Sequence, residues 1–572
     1  MSTSAIDQTV TADNNPALAP FDITDYRGVH GENFYENDTL LKYIIQKYAG
    51  DYDGTHLKDM QEHLSGYGEL AGGILNELVE AAHKEDKYGD FVKYDRTGQR
   101  IDEVRYCHEQ KEVRRINYEY GIVNLDFHKN WNHDFTMLHR YALGYLANQN
   151  GEGGITCPLA MTEGMIRVLK ALGTDEQKER YLPMVAGEGS DSHFMCGQYV
   201  TERVGGSNVA QNRTVAHKRP DGKWVLTGEK WFCSNPGDLW VTTARVEGTQ
   251  TIGMFLVPRV KPNGELNGCH IIRKKDIIGS RGKITVETVY EDLEAEELGR
   301  VGHGLANLIK YVIKTSRLHV SVAATGMSRR AYIEARAYVR QREAYNRKVA
   351  QFPSVLRQLA EMHILHSSIT WSIFKNYVLT ESNHAAGEVL TPLLKYISTV
   401  HSTWITHEAM MLHGGNGILG DFSCLPRLHN DAIINETWEG THQIIGEHTL
   451  KAYARPRIRA AFLELVEQNL RGATDRSELS QPLAFAQEKL NLLRDLRGTG
   501  GVYGEVNRSA LCDGLYDLFV VSEWIAESVA GNDMATLFAR GHAEIVRRGR
   551  SGITDPEGIF NDVDILRRIV DY

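Results

Sequence analysis

Long apolar runs are missing from this 572-residue chain, and none of its segments reaches the roughly 20 residues needed to span a bilayer. The start, Met1-Ser2-Thr3-Ser4-Ala5-Ile6-Asp7, has no basic n-region, no apolar h-region and no Arg-rich amphipathic pattern, so neither a secretory nor a mitochondrial address is expected. Cysteine is sparse. The seven residues (107, 157, 196, 233, 269, 424 and 512) are odd in number and never form a CxxC pair. This excludes a disulfide framework and a zinc site, and sets the expectation of a reducing, cytoplasmic compartment. Excess positive charge is also absent. A net charge of −10 disfavours a whole-chain nucleic-acid binder while leaving a local basic patch open. There is no internal repeat and no low-complexity tract.

The polar, Pro- and Asn-containing stretch 1–36 reads as a flexible arm. From Asp38 the period is helical, with Leu40, Leu41, Ile44 and Ile45 on one face, a long amphipathic segment at 56–82, and further helix from about 109 to 188. Within it, Thr174 reads as an N-cap with Gln177 at the capping-box position. The period then shortens. Trp224–Thr227, Leu239–Thr243, Ile252–Val257 and Ile284–Tyr290 are β-branched and aromatic runs separated by Gly, Asn, Asp and Pro. They predict an antiparallel β domain over 198–298. Helical periodicity returns for 299–455 and again for 456–572, where Leu511, Leu515, Leu518, Phe519 and Trp524 form an apolar set. The expected fold is α+β: a helical domain (37–197), the β domain, a helical bundle and an extra helical C-terminal segment.

Two runs stand out for chemistry. Leu412-His413-Gly414-Gly415-Asn416-Gly417-Ile418 is a main chain stripped of side chains, able to turn tightly and approach a ligand. Some twenty residues later comes Asn435-Glu436-Thr437-Trp438-Glu439-Gly440-Thr441-His442-Gln443-Ile444-Ile445. Here Glu439 lies between a bulky wall and a glycine. Desolvation there raises a carboxylate's pKa and suits it to take a proton near neutral pH. Taken alone, the two runs read equally well as an interhelical turn and a surface Glu at a helix start.

Together they resemble the C-terminal region of the acyl-CoA dehydrogenase family, where a GGxG turn and an aromatic-Glu-Gly-Thr-x-x-Ile run lie about this far apart. The order of helices, β insert and helices is also that family's. The N-terminal region, including Phe91–Val104, and the C-terminal extension look more like its alkylation-response (AidB-like) branch. The resemblance implies that Glu439 is the catalytic base, that Gly414, Gly415, Gly417, Thr441 and Gln443 contact FAD, and that Gly440 borders the substrate.

Further motifs carry the same resemblance. Val200-Thr201-Glu202-Arg203-Val204-Gly205-Gly206-Ser207-Asn208-Val209 offers hydroxyls and backbone N–H groups. It looks like the family's V-T-E-x-x-x-G-S-D-V segment, so Gln198, Val200, Thr201, Gly206 and Ser207 are implied cofactor contacts. Asn208 departs from the usual Asp, and Gln198 from a frequent aromatic. Gly228-Glu229-Lys230-Trp231-Phe232-Cys233-Ser234-Asn235 resembles the strand whose aromatic covers the flavin and whose hydroxyl bonds N5, roles that fall to Phe232 and Ser234; Pro236 stands for the commoner Gly. Arg342, Tyr345 and Asn346 fall on an R-x-x-F-G motif that reaches the FAD of a neighbouring subunit, and a guanidinium suits a pyrophosphate. Arg317 takes a place near the substrate mouth. Lys314 stands where the family often has an acidic residue, which bears on how CoA is held.

The implied protein is a homo-oligomer, a tetramer built as a dimer of dimers, that acts on an acyl-CoA or related thioester and passes electrons to a flavoprotein or quinone-linked acceptor. The alternative is an AidB-like flavoprotein that binds DNA. Residues 456–572 hold 14 Lys+Arg against 18 Asp+Glu, and only Arg547, Arg548 and Arg550 cluster, so the DNA role is not favoured. His363 with His366, and His407 with His413, lack a carboxylate or Cys set at ligand spacing, and no metal is expected.

Overall fold

The computed structural model describes residues 23, 25–153, 155–187, 194–494, 501–549 and 552–572. Helices α1 (Thr39–Tyr48), α2 (Gly54–Gly72) and α3 (Ile74–Ala82) lead to a hairpin, β1 (Asp90–Tyr94) and β2 (Arg100–Arg105). Four helices follow: α4 (His108–Tyr120), α5 (Met137–Asn148), α6 (Thr156–Leu172) and α7 (Asp175–Ala186). The central strands are β3 (Cys196–Tyr199), β4 (Val215–Lys218), β5 (Trp224–Ser234), β6 (Leu239–Val246), β7 (Ile252–Pro258), β8 (Cys269–Lys274) and β9 (Thr285–Glu297). The short α8 (Gly304–Asn307) and a π-helical turn, Leu308–Ile313, precede α9 (Lys314–Gln341). A small hairpin, β10 (Glu343–Ala344) and β11 (Arg347–Lys348), joins α9 to α10 (Pro353–Glu381), α11 (Gly387–His413), α12 (Leu425–Thr437) and α13 (His442–Tyr453). The chain ends in α14 (Pro456–Asn469), α15 (Ser480–Arg494), α16 (Gly501–Val506), α17 (Arg508–Val529), α18 (Asp533–Arg548) and α19 (Val563–Asp571). Among the described residues no helix is long and apolar enough to cross a membrane.

Local chemistry sets many of these boundaries. Asp38 caps α1 by accepting from the Leu41 N–H at 2.9 Å, and the face that follows, Leu40, Leu41, Ile44 and Ile45, is buried. The capping box at α7 is present as expected: Gln177 N–H donates to Thr174 Oγ1, and Thr174 N–H to Gln177 Oε1.

The four runs read as strands lie in β5, β6, β7 and β9, but the sheet is not purely antiparallel. β3 and β4 both pair parallel to β6 along the edge opposite β7, β3 at residues 239–242 and β4 at 245–246, and the crossover 200–214 carries the chain from one to the other. The ring β6–β4–β5–β9–β7 closes on itself through the β6–β7 pairing. That crossover is the segment bearing Thr201, Gly206 and Ser207.

Part of the stretch 1–36, expected as an arm, packs on the fold. Residues 1–22 and 24 lie outside the described residues, but the end of the stretch packs on the bundle. Val29, Phe34 and Tyr35 are buried, and Tyr26 stacks on Phe422 with ring centroids 5.6 Å apart. The aromatic residues interleaved with the polar ones outweigh the overall polarity.

The C-terminal helices share the core rather than sitting beside it. Leu511, Leu515, Leu518, Phe519 and Trp524 are buried, and Trp524 Nε1 donates to Ser368 Oγ of α10 at 3.0 Å. This integration changes the expected basic patch. Arg548 is internal: its Nη2 meets Glu361 Oε1 at 2.6 Å and its guanidinium covers the Phe560 ring at 4.9 Å. Arg550 lies outside the described residues, and Arg547 reaches over the Phe485 ring. Replacing Arg548 by Ala removes one of two guanidinium partners from buried Glu361, with Arg357 remaining at 2.8 Å, so a loss of about 2 kcal/mol of stability is expected. Denaturant melts check it, with Arg547→Ala near parental stability as the control.

A group of neutral histidines sits where α2 meets α5. His63 Nε2 donates to the Tyr120 carbonyl at 3.1 Å, so its Nδ1 accepts from His139 Nε2 at 3.0 Å. Burial pushes His63 down to about 4 and His139 well below the ordinary value of 6.5. The unfolded chain therefore binds these protons first. Stability is complete above pH 6.5 and falls as pH drops from 6.5 toward 4, by up to ~1.4 kcal/mol per pH unit for each such group. Urea midpoints measured across that range should decline steadily, and His139→Phe should flatten the slope.

Candidate active site

Between α12 and α13 the chain makes a tight turn, Trp438-Glu439-Gly440-Thr441. Glu439 adopts φ 56° and Gly440 φ 108°. A left-handed glutamate costs on the order of 1–3 kcal/mol and persists only when its surroundings hold it. Lys395 of α11 does so, donating to the carbonyls of Glu436 at 3.3 Å and Gly440 at 2.8 Å. Arg317 of α9 adds a bond from Nε to the Glu439 carbonyl at 3.3 Å. The turn aims the Glu439 side chain out of the bundle toward the β domain, where Gln198 Nε2 of β3 donates to its Oε1 at 2.6 Å.

Burial raises the Glu439 pKa above the usual carboxylate range, against the opposing pull of Ser316, Arg317, Lys395 and Gln198. The direction matches the sequence expectation, since desolvation is the largest cause. A carboxylate in that state can accept a proton near neutral pH. Arg317 also bonds His448 Nδ1 through Nη2 at 2.8 Å, while burial pushes its own pKa down.

The facing wall comes from the β domain. Phe232 is 48 % exposed, although it sits within a strand. Two positions on, Ser234 Oγ is 3.0 Å from Thr285 Oγ1 and 3.5 Å from the Lys283 ammonium. Lys283 is buried, bonds Thr285 Oγ1 at 3.3 Å and lies over the Trp438 ring at 5.6 Å. Among the described residues no carboxylate lies within ion-pair distance of it. Beyond it Glu152 is pushed up to about 7, mainly by burial.

The crossover loop is anchored from below. The Lys230 ammonium meets Glu202 Oε1 at 2.8 Å with both side chains buried, and Glu202 also accepts the Arg213 and Thr214 N–H groups. The Val200 carbonyl accepts from Asn212 Nδ2 at 3.0 Å, and the Thr201 carbonyl from Trp231 N–H at 2.8 Å. Gly206 packs so that a Cβ would come 2.5 Å from Thr201 Oγ1, and Ser207 is exposed.

Thr441 is the N-cap of α13 and makes no side-chain cap bond, so the first-turn N–H groups are available to an anion. Gln443 sits in that first turn and accepts from Arg508 Nη1 through Oε1 at 3.1 Å. An exposed apolar ring, a hydroxyl beside a buried cation, a glycine loop and an uncapped helix start together suit a planar heteroaromatic group carrying phosphates. The residues fit FAD.

Five candidates lie elsewhere. Lys395 and Gly414 are on one helix, about 28 Å apart at the α-helical rise. The glycine turn is therefore not beside the carboxylate as its place in the sequence suggested; α11 and the returning α12 hold the two apart. Gly417 there has no room for a side chain, since a Cβ would fall 2.1 Å from the Met410 carbonyl. Gly414, at φ 60°, and Gly415 face open space. Arg342 and Tyr345 follow the end of α9, about 37 Å from Arg317 at its start. The two groups share one end of the bundle: Asn416 Nδ2 donates to the Tyr338 hydroxyl at 3.2 Å. Tyr345 is 91 % exposed at φ 51° and meets Phe352 edge-on.

Sequence reasoning missed Lys395, Lys283 and Ser316. Lys395 had a signal, as a lone cation in the apolar run Leu393-Leu394-Lys395-Tyr396-Ile397; Lys283 in an ordinary turn had none. A group not singled out in the sequence, Asp53 with His56 and His133, brings its ligand atoms within 4.8 Å of one another. The two rings stack at 4.6 Å with planes only 2° apart, so their in-plane lone pairs run side by side instead of converging, and we assign no metal to it.

Comparison with known proteins gives the family and the fold. Three family models cover most of the chain: "Adaptive response protein AidB N-terminal domain" over residues 27–192, "Acyl-CoA dehydrogenase, middle domain" over 197–293, and "Acyl-CoA dehydrogenase, C-terminal domain" over 302–453. Acyl-CoA dehydrogenase family member 11 of Caenorhabditis elegans is 26 % identical over 488 residues, 81 % of this chain and 78 % of the relative. AidB of Escherichia coli is 26 % identical over 431 residues, 73 % and 77 %. The crystal structure of Caenorhabditis elegans ACDH-11 in complex with C11-CoA superposes with a TM-score of 0.83 at 22 % identity, covering 92 % of this chain and 93 % of that one. The chain belongs to the acyl-CoA dehydrogenase family of FAD-dependent oxidoreductases and carries an N-terminal domain of the AidB type.

Proposed function

We propose that this protein removes two hydrogens from the α and β carbons of an acyl thioester, with Glu439 as the base. The observation that carries the reading is the Glu439 carboxylate itself: desolvated, held in a strained turn and aimed at the junction with the β domain. Gln198 donates to Oε1 and orients the carboxylate toward that junction. Bound FAD supplies the acceptor for the hydride that leaves the β carbon. The electron pair of the broken Cα–H bond becomes the new double bond, giving a 2-enoyl thioester.

The remaining residues place the reactants. Phe232 offers an apolar face, Ser234 a hydroxyl donor and Lys283 a fixed positive charge where negative charge develops. Thr441 and the start of α13 suit the pyrophosphate. Lys314, whose pKa is lowered chiefly by burial, and half-buried Arg317 make the mouth of the site cationic, which supports an anionic carrier such as the phosphates of CoA. The structure of ACDH-11 with C11-CoA supports the same class. The DNA-binding alternative loses ground because Arg548 is already engaged by Glu361.

Glu439→Gln keeps the shape and the Gln198 contact but cannot take a proton. Substrate-dependent bleaching of the flavin by an accepted acyl-CoA should slow by about 10²–10⁴-fold while FAD stays bound. Stopped-flow absorbance measures it, and an undiminished rate would assign the base elsewhere.

Arg342, Tyr345, Gly414, Gly415 and Gly417 lie too far from Glu439 to serve the same site in one subunit. We place them at the cofactor of a second copy, in a homotetramer arranged as a dimer of dimers. Arg342→Ala should then weaken FAD retention. Subunits of Arg342→Ala and Glu439→Gln, unfolded and reassembled together, should regain activity that neither variant has alone, because one of the two shared sites is then intact. No regain in verified mixed oligomers would show that each site is built within one chain.

A further inference from the structure

We propose that Lys395 is a positioning residue for the base: its ammonium clamps the carbonyls on either side of Glu439 and so fixes the left-handed turn that aims the carboxylate. The assignment deepens the dehydrogenase reading and rests on it. Lys395 is fully buried in α11, and its hydrogen bonds go to Gly440 O at 2.8 Å and Glu436 O at 3.3 Å. Among the described residues no carboxylate comes within ion-pair distance of its Nζ.

A buried lysine bonded only to neutral carbonyls is costly unless it fulfils a need. Two features of the turn supply that need. Glu439 has an unfavourable φ of 56°, and Gly440 at φ 108° offers no side chain with which to brace it. The carbonyls of residues 436 and 440 bracket the strained residue, so one three-donor group holds both ends. Neither threonine of the turn contributes a brace, since Thr437 Oγ1 donates back to Ile434 O and Thr441 makes no cap bond.

The clamp also sets charge. The charged groups facing Lys395 are Arg317 of α9, Glu436 at the end of α12 and Glu439 itself, with Glu436 already paired to His442 at 2.9 Å. Burial lowers the Lys395 pKa to about 7, with Glu439 the largest opposing influence. In turn Lys395 is among the groups that pull the Glu439 pKa down. Removing the cation therefore does two separable things: it frees the turn and raises the Glu439 pKa further.

Three holoenzymes test this: Lys395→Met, which removes donor and charge; Lys395→Gln, which keeps a donor without charge and guards against misfolding of the Met variant; and the parent. In Lys395→Met, hydrogen–deuterium exchange should quicken at residues 437–441 while FAD absorbance and protection of the rest of α11–α13 stay parental. Infrared titration, with Glu439→Gln subtracted to isolate the carboxyl band, should show Glu439 ionising at higher pH in both variants. Turnover in Lys395→Met should fall about 10²-fold with KM little changed, as expected for a misplaced group. The acid limb of its pH profile should move up in step with the infrared titration.

Unchanged exchange across 437–441 together with an unmoved carboxyl titration overturns the proposal. So does a uniform loss of protection across the bundle in both variants, which marks Lys395 as a general packing residue. The exchange and infrared readouts need no turnover. A parent that no acyl-CoA bleaches thus refutes the proposed reaction, while these two measurements still decide the clamp.

Discussion

The Asp431 carboxylate is the tie on which the rest of the site depends. It lies on α12, buried, and accepts the Ser280 N–H at 2.6 Å through one oxygen and the Glu152 N–H at 3.0 Å through the other. Ser280 precedes β9, Glu152 precedes α6, and α12 runs directly into the turn that carries Glu439. One side chain thus joins the N-terminal helices, the β domain and the bundle close to Glu439. Charge-assisted bonds to backbone N–H groups are among the stronger hydrogen bonds of a protein. Here they fix the β wall bearing Phe232 and Ser234 against the face from which Glu439 projects.

Around that junction the buried charges divide into two kinds. Away from the site they are matched: Lys230 with Glu202, Arg330 with Glu334, Arg329 with Asp38, and Glu163 with Arg140 and Arg167. At the site, Lys283, Lys395 and Glu439 are satisfied by hydroxyls, carbonyls and an amide. Paired buried ions hold the fold together at small net gain. Ions left with neutral partners keep a field pointed into the cleft, and groups of that kind gather where a reaction must be steered. The distinction needs no knowledge of a ligand.

Separation is the other theme. The long helices α9 and α11 are rigid spacers that put the base turn at one end of the bundle and the glycine turn, Arg342 and Tyr345 at the other. By motif alone these residues form one constellation, because each matches the same family. On the proposed reading they are two half-sites within a single chain, and the helices between them make assembly a condition for a complete one.

What the sequence alone determined was local. The helical period from Asp38 placed α1, a capping box placed α7, β-branched runs placed β5, β6, β7 and β9, and an aromatic-Glu-Gly-Thr run singled out the proposed base, because each depends on neighbours a few residues away. The burial that raises Glu439's pKa was legible too, from the bulk of Trp438 beside a glycine. Only the tertiary structure decided the rest. The parallel pairing of β3 and β4 with β6 depends on a crossover whose path no periodicity records. The stacking of Tyr26 on Phe422, the cover that Arg330 gives Phe34 and the capture of Arg548 by Glu361 all depend on partners far away in the chain. Lys395 and Lys283 gained their roles the same way, since an isolated lysine carries no mark in sequence of the carbonyl or hydroxyl it will meet once helices and sheet have packed.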